Sequence, residues 1–399
     1  MLVVDAIGGA ADTLPPILRN NPLLAVLVAG LALAAIVAGV VALLRYRRTA
    51  GQRFKQALAP LDSLAVLMHP DPDPDAMASA LAAMEVAESV DTAATIYYSG
   101  QIRRPENRAF RTVIEAGVEF ERVEHARALA SEAVVLVDHN EPRGFNRAES
   151  IEPYAVVDHH PGDGTGTAFT DVRTDSGACA SIFTEYLEDL GWQPYDGDSE
   201  TRPEKPLSAE LSTGLLYGIL SDTNYFSTGC SDADLESAVS LYSAVNGDLL
   251  ERIANPQVDP EILDVKSRAI SNREVRNAFA VSDVGTVSNG DAVPEAADEL
   301  LRLEGVTALV VVADKDGTLR MSGRSTDDRV HMGNALEAAV DDVPMGSAGG
   351  HSRMGGGNVS LAHLNGGDTG ELITGADGGT ELTRERFKER LFDAMRGDI

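Results

Sequence analysis

The sequence predicts an α/β protein: a single N-terminal transmembrane helix, then a parallel-sheet domain, then a smaller α/β domain at the C-terminal end. Three observations carry that expectation. Residues 23–44 form an apolar stretch without a charge. Apolar runs then alternate with amphipathic ones, the pattern of βα units around a parallel sheet. Four of the runs end in carboxylates or imidazoles, as catalytic groups do at the C-terminal edge of an open α/β sheet.

Residues 23–44, rich in Leu, Ala and Val, are long enough to cross a bilayer as a helix. Arg45, Arg47, Arg48, Arg53 and Lys55 follow at once, whereas segment 1–22 carries Asp5 and Asp12 against Arg19. The positive-inside rule then puts 1–22 outside a cell membrane, as a single-pass protein with its catalytic domains cytoplasmic. A cleaved signal peptide would have a shorter apolar core with its basic residues in front. A buried helix of a soluble domain is the other reading.

Residues 45–60 read as a basic juxtamembrane linker or helix. A first domain is expected over 61–255, with strand 64–68, helix 76–89, strand 92–98, helix 105–116, strands 133–137 and 154–157, and helix 208–220. The Asp-, Gly-, Pro- and Glu-rich stretch 191–206 reads as an exposed loop. Residues 256–272 are expected to connect the domains, with a helix over 259–272. The second domain, 273–395, has strands 278–287, 306–314 and 319–324, a glycine-rich loop 365–379 and a final amphipathic helix 383–396.

The chemistry-bearing residues sit at the ends of the apolar runs. Run 64–68 leads into His69-Pro-Asp71-Pro-Asp73-Pro-Asp75, an imidazole and two carboxylates at H-x-x-x-D-x-D spacing. Run 133–137 ends in Asp138-His139-Asn140, run 154–157 in Asp158-His159-His160, and run 215–220 in Ser221-Asp222-Thr223. Carboxylate oxygens with a nitrogen donor suit Mn²⁺ or Mg²⁺, and the missing thiolate argues against a closed structural zinc site. One acid after an apolar run is ordinarily a turn residue or helix cap. Four in series point to a site.

The segments HPDPDPDAMAS, VLVDHN, VVDHHPG and GILSDTNYF resemble, in order, the four motifs of the DHH phosphoesterase superfamily, over about residues 61–365. That superfamily includes RecJ exonucleases, oligoribonuclease/pAp-phosphatases, cyclic-di-AMP phosphodiesterases and family II pyrophosphatases. The resemblance implies two metal ions: His69 and Asp73 on the first, Asp75, His159 and Asp222 on the second, and Asp138 bridging them. Asp158 would orient His159, and His160 would face the scissile phosphate as a donor or proton-transfer group. Gly349-Gly350-His351, followed by Met354-Gly355-Gly356-Gly357, resembles the GGH motif of the DHH-associated C-terminal domain, with Ala348 replacing its first glycine. These residues and Arg324 would contact substrate. The segment around Arg103 and Asn107 resembles one that borders the active site, making both candidate substrate contacts. A helix N-cap region with solvated arginines is an equal reading.

The implied activity is hydrolysis of phosphoester bonds in small nucleotides: a cyclic dinucleotide, a short oligoribonucleotide or pAp. The attacking hydroxide would be activated by two divalent ions about 3.5–4 Å apart, Mn²⁺ first, with Mg²⁺ and Co²⁺ as alternatives. The active site is expected in the cleft between the domains. A homodimer is one assembly the resemblance admits. A RecJ-like single-strand exonuclease is the alternative enzyme, but needs a channel for the strand that the remaining length does not supply. A membrane nucleotide-binding sensor without turnover is the non-enzymatic alternative.

Composition narrows these readings. A net charge of −29 repels nucleic acid, so no stable duplex partner is expected. With 44% hydrophobic residues the chain is not an acidic disordered protein. Its acidity, with lysine only at 55, 205, 266, 315 and 388, resembles that of proteins from salt-accumulating haloarchaea. In molar salt the Debye length falls to about 3 Å, which screens a polyanionic substrate from that charge. Cys179 and Cys230 read as buried thiols rather than a disulfide or metal pair.

Overall fold

The computed structural model describes residues 48–114, 118–129, 132–197, 201–363 and 383–398, with Asn21, Leu23, Val26, Leu27, Val28, Gly30 and Leu31. Most of the apolar run 23–44 and the whole loop 365–379 lie outside these residues. Among the described residues no helix is long and apolar enough to cross a membrane. The chain divides into two units, Met1–Pro256 and Gln257–Ile399.

In the first unit, α1 (Ala50–Leu58) precedes β1 (Ser63–Met68), α2 (Pro74–Glu88), β2 (Ala93–Tyr98), α3 (Pro105–Ile114), β3 (Phe120–Arg122), β4 (Ala133–Val137), β5 (Ala155–Asp158), β6 (Phe169–Val172) and α4 (Cys179–Asp189). A two-residue pair, β7 (Gln193–Pro194) with β8 (Pro206–Leu207), ties the two ends of the expected loop 191–206 together. Helices α5 (Ala209–Asp222), α6 (Asp232–Tyr242) and α7 (Gly247–Ala254) follow. The six main strands are all parallel, in the order β3-β2-β1-β4-β5-β6. The chain winds outward from β1 to β2 and β3 on one side, and from β4 to β5 and β6 on the other. The winding therefore reverses between β1 and β4, the point at which such sheets offer a ligand room beyond the strand ends. In β1, Leu64, Val66 and Met68 face the main core, while Ala65 and Leu67 join Leu136 and Val156 in a smaller cluster on the other face. Burial on both faces is why these strands read as unbroken apolar runs.

Of the two readings of segment 45–60, linker or helix, its described part takes the helix. Its described part is capped by Thr49, and α1 buries Phe54 and Leu58 completely, one helical turn apart. The Phe54 ring lies 5.4 Å from Phe169 and 5.8 Å from Phe183. Burying such a ring contributes roughly 1.5–3 kcal/mol. Exposed Arg53 is the solvated face of a docked helix.

The second unit runs through α8 (Pro260–Asn272), β9 (Arg273–Arg276), β10 (Phe279–Thr286), α9 (Ala292–Leu300), β11 (Ala308–Lys315), β12 (Thr318–Ser325), α10 (Met332–Val340), β13 (Ser347–Gly350), β14 (Met354–Ser360) and α11 (Arg384–Arg396). Its mixed sheet has the order β13-β14-β12-β11-β10-β9, parallel only between β10 and β11. Strand β11 turns Ala308, Val310 and Val312 toward α10 and α11, and Leu309, Val311 and Ala313 toward α8 and α9. Helix α8, expected as a connector, is part of this unit, because its Ile262, Val265 and Ala269 are buried in the second of those layers.

Candidate metal centre

Each candidate ligand is aimed by a local backbone feature. His69 leaves the end of β1, and its Nδ1 lies 2.8 Å from the Pro70 carbonyl. A carbonyl only accepts, so Nδ1 carries the hydrogen and Nε2 is left to face a cation. Asp71 then turns left-handed (φ 58°), and its Oδ1 accepts the Gln101 N–H at 2.6 Å. A Cβ on Gly100 would stand 2.6 Å from that oxygen, so glycine is required there. Asp73 is the N-cap of α2: its Oδ1 accepts the N–H groups of Asp75 and Ala76, each at 3.1 Å, and its Oδ2 stays free. Buried Asp75 accepts the Cys179 and Ala180 N–H groups at the first turn of α4, both at 2.7 Å. Asp138 follows β4 in a left-handed conformation, φ 61°.

Run 215–220 is the last part of α5, the helix expected over 208–220, and Asp222 is that helix's final residue. An acid at a helix C-terminus opposes the helix dipole, a local cost that a cation would offset. Asn224, Tyr225 and Phe226 then all take positive φ, 45°, 55° and 63°, a strained run of the kind that collects at functional sites.

The side chains converge around Asp138. Its Oδ2 is 3.4 Å from His69 Nε2, which is 3.7 Å from Asp73 Oδ2. Its Oδ1 is 3.3 Å from His159 Nε2, which also faces Asp222 Oδ2 at 3.1 Å and Asp75 Oδ2 at 3.9 Å. Ligands about 2.1 Å from a shared ion stand roughly 3–3.5 Å from one another. Three three-residue groups have donor atoms inside 4.8 Å of one another among the described residues: His69/Asp73/Asp138, Asp75/His159/Asp222 and, overlapping both through Asp138 and His159, Asp138/His159/His160; the first two fall on either side of Asp138. Asp138 Oδ1 and His159 Nε2 are buried and face each other at 3.3 Å, and a buried carboxylate is costly unless something positive lies beside it. Carboxylates plus imidazole without thiolate fit two divalent cations.

The electrostatics agree. Burial, then the Asp138 charge, raises the Asp75 pKa, and the same pair of causes prevails at Asp222 over its hydrogen bond with His159. Asp138 goes the other way: burial opposes ionisation, but hydrogen bonds from His159 and His69 hold its pKa well below the usual range. Burial opposes charging of the imidazoles too. The hydrogen bonds to Asp138 and Asp73 nevertheless lift His69 to about 11, and those to Asp138 and Asp222 lift His159 to about 12. Protons on the imidazoles thus supply the positive charge that cations would replace.

Other expected residues fall differently. Asp158 does not orient His159. Its Oδ1 accepts the backbone N–H groups of His159 and His160 and the His160 ring Nδ1 at 2.9 Å, so it orients His160. The His159 ring is held instead by the Ser176 carbonyl, 3.2 Å from Nδ1. Asn107 is buried, and its Nδ2 donates to the Pro72 carbonyl at 3.1 Å, bracing the ligand loop. Arg103 is exposed beside Gln101. Cys179 is buried, but Cys230 is only half-buried. In the second unit, Gly349 and Gly350 end β13, and exposed His351 occupies the turn into β14. Arg324 is engaged there by Asp298 at 2.5 Å and by the Ser322 hydroxyl at 3.0 Å. Sequence reasoning missed the Ser176 carbonyl, which no residue type betrays. It also gave no role to Asn140, whose Nδ2 donates to Asp158 Oδ2 at 2.7 Å.

Residues 63–219 match the DHH family, N-terminal domain, and residues 276–366 match the DHHA1 domain. An uncharacterised protein of Methanocaldococcus jannaschii is 32% identical over 299 residues, 75% of this chain and 58% of the relative. A cyclic-di-AMP phosphodiesterase of Geobacillus thermodenitrificans is 26% identical over 340 residues, 75% of this chain and 48% of the relative. A Lactobacillus johnsonii protein named as a manganese-dependent inorganic pyrophosphatase is 26% identical over 294 residues, 69% of this chain and 89% of the relative. The chain therefore spans about half the length of the first two.

Proposed function

From a chain that carries a DHH-family N-terminal domain followed by a DHHA1 domain, we propose a membrane-anchored, Mn²⁺-dependent phosphodiesterase of small nucleotides. The observation that carries this reading is the Asp138 carboxylate, which turns one oxygen to each of two donor groups. Bound cations there lower the pKa of water and offset negative charge building on phosphorus. His69 and Asp73 would hold one, and Asp75, His159 and Asp222 the other, with Asp138 shared by both groups. Mg²⁺ and Co²⁺ are the alternative ions.

His160 handles the proton. The hydrogen bond to Asp158 raises its pKa, and Nε2 is left on a half-exposed ring. Its N–H can donate to a phosphoryl oxygen or protonate the leaving oxygen. Arg324, His351 and the backbone of Gly349 and Gly350 take the nucleotide end, and Arg103 is a further contact. The substrate class, a cyclic dinucleotide, short oligoribonucleotide or pAp, is supported by the cyclic-di-AMP phosphodiesterase relative. Inorganic pyrophosphate is the second reading, favoured by the relative that the chain spans along 89% of its length. The anchor is segment 23–44, with the arginines after it on the cytoplasmic side.

The test is a hydrolysis assay of the full chain in detergent at high salt with Mn²⁺. Cyclic di-AMP, pApA, pAp, inorganic pyrophosphate and a single-stranded DNA ladder are compared. Cleavage of the dinucleotides is expected. Processive loss of the ladder with intact dinucleotides would overturn the substrate class, and turnover of pyrophosphate alone would establish the second reading.

A further inference from the structure

We infer that Asp234, which belongs to neither donor group, positions all three residues of the Asp75/His159/Asp222 site and leaves the His69/Asp73 site untouched. The inference rests on the two-cation reading above. Asp234 is fully buried. Its Oδ2 accepts the Ser231 N–H and the Ser231 hydroxyl, both at 2.7 Å, and the Gly177 N–H at 2.9 Å. Its Oδ1 accepts the Ser181 hydroxyl at 2.6 Å. Four donors offset the burial of one carboxylate.

Capping α6 explains only the two bonds to Ser231. The other two reach 57 and 53 residues back along the chain, and each ends beside a ligand. Gly177 follows Ser176, whose carbonyl holds the His159 ring. Ser181 lies in the first turn of α4, whose Cys179 and Ala180 N–H groups hold both oxygens of Asp75. Ser231 closes the segment that leaves Asp222 through the left-handed residues 224–226. A Cβ on Gly177 would sit 2.5 Å from Asp234 Oδ2 and 2.7 Å from the Gly229 carbonyl, so the two loops meet where only glycine fits. The first site has its own supports, the Pro70 carbonyl and the α2 N–H groups.

Mn²⁺ titration of the chelated full chain tests this, read by calorimetry for stoichiometry and by electron paramagnetic resonance for the coupled-pair signal. In Asp234→Ala the second ion should bind about 10–100-fold more weakly, with the first within about threefold of wild type. The coupled signal should vanish at Mn²⁺ levels that fill the wild type. Asp234→Asn should restore the second ion: its amide oxygen takes the three donors and its NH₂ donates to the Ser181 hydroxyl, which separates geometry from charge. If Asp234→Ala does not fold, Ser181→Ala removes one bond of the four and should weaken the second ion selectively.

Equal weakening of both ions, two wild-type affinities in the variants, or an Asn variant as poor as Ala would each overturn the inference. A wild type that binds two ions but hydrolyses nothing would remove the proposed reaction and leave the role of Asp234 standing. A wild type that takes up one ion would overturn both.

Discussion

The ligand cluster of the first unit and the glycine-rich hairpin of the second hold their functional side chains in opposite ways. In the cluster, Asp75 and Asp138 are buried and most ligands are braced from behind: Nδ1 of each imidazole by a carbonyl, Oδ1 of Asp73 by a helix start, Asp75 by the N–H groups of α4. In the hairpin region His351 is exposed and the Arg324 guanidinium is engaged by Asp298. A cation rewards only donors that already converge, so its ligands must be fixed before it arrives. A polyanionic substrate brings its own charge and can draw an arginine from an existing partner, so its contacts tolerate exposure and exchange.

That contrast predicts steep losses from the cluster and graded ones from the hairpin. Asp138→Ala removes the group shared by both sites and should cut kcat by roughly 10³–10⁴-fold, a barrier increase of about 4–5 kcal/mol. Steady-state rates with saturating Mn²⁺ check this, and a loss under tenfold would break the comparison. His160→Gln should cost about 10²-fold in kcat while the Mn²⁺ isotherm stays as in wild type. Arg324→Ala should instead raise KM about 10–100-fold with kcat nearly kept, the signature of lost uniform binding. A fall in kcat alone would assign Arg324 to the reacting centre.

The mildest test is pH. In the ion-free protein His69 and His159 titrate near 11 and 12 against an ordinary 6.5. Their stabilising contribution is complete below about pH 6.5 and is lost as pH climbs through the folded-state values. Cations compete with those same protons, so Mn²⁺ affinity should rise with pH, by up to about tenfold per unit for each proton displaced. Melting curves with chelator should therefore fall between pH 7 and 10 while the increment from Mn²⁺ grows. A flat increment would show that the imidazoles do not exchange protons for metal.

The fold was legible wherever a single residue type in a periodic setting determined the outcome. Runs 64–68 and 133–137 became β1 and β4, and their following residues met at the reversal of winding, as the resemblance to the DHH motifs implied. Two features were read less sharply than their signals allowed. Phe54 and Leu58 stand four apart, the mark of a docked helix, but the surrounding arginines left segment 45–60 open between linker and helix. Run 215–220, expected as the end of helix 208–220, is the end of α5, and its unbroken apolar character comes from packing on several sides. The partner of His159 was beyond reach, because it is a backbone carbonyl and backbone atoms are the same in every residue. Asp234 was hidden for another reason: a serine three residues before an acid reads as an ordinary helix start.

The docking of α1 has a consequence for reach. Only residues 45–49 separate the end of the apolar run from that helix, and five residues stretch to at most about 18 Å. With 23–44 embedded in a bilayer, as proposed, the start of α1 would stay within about 18 Å of the lipid surface, and the first unit would meet only those nucleotides that come to that surface.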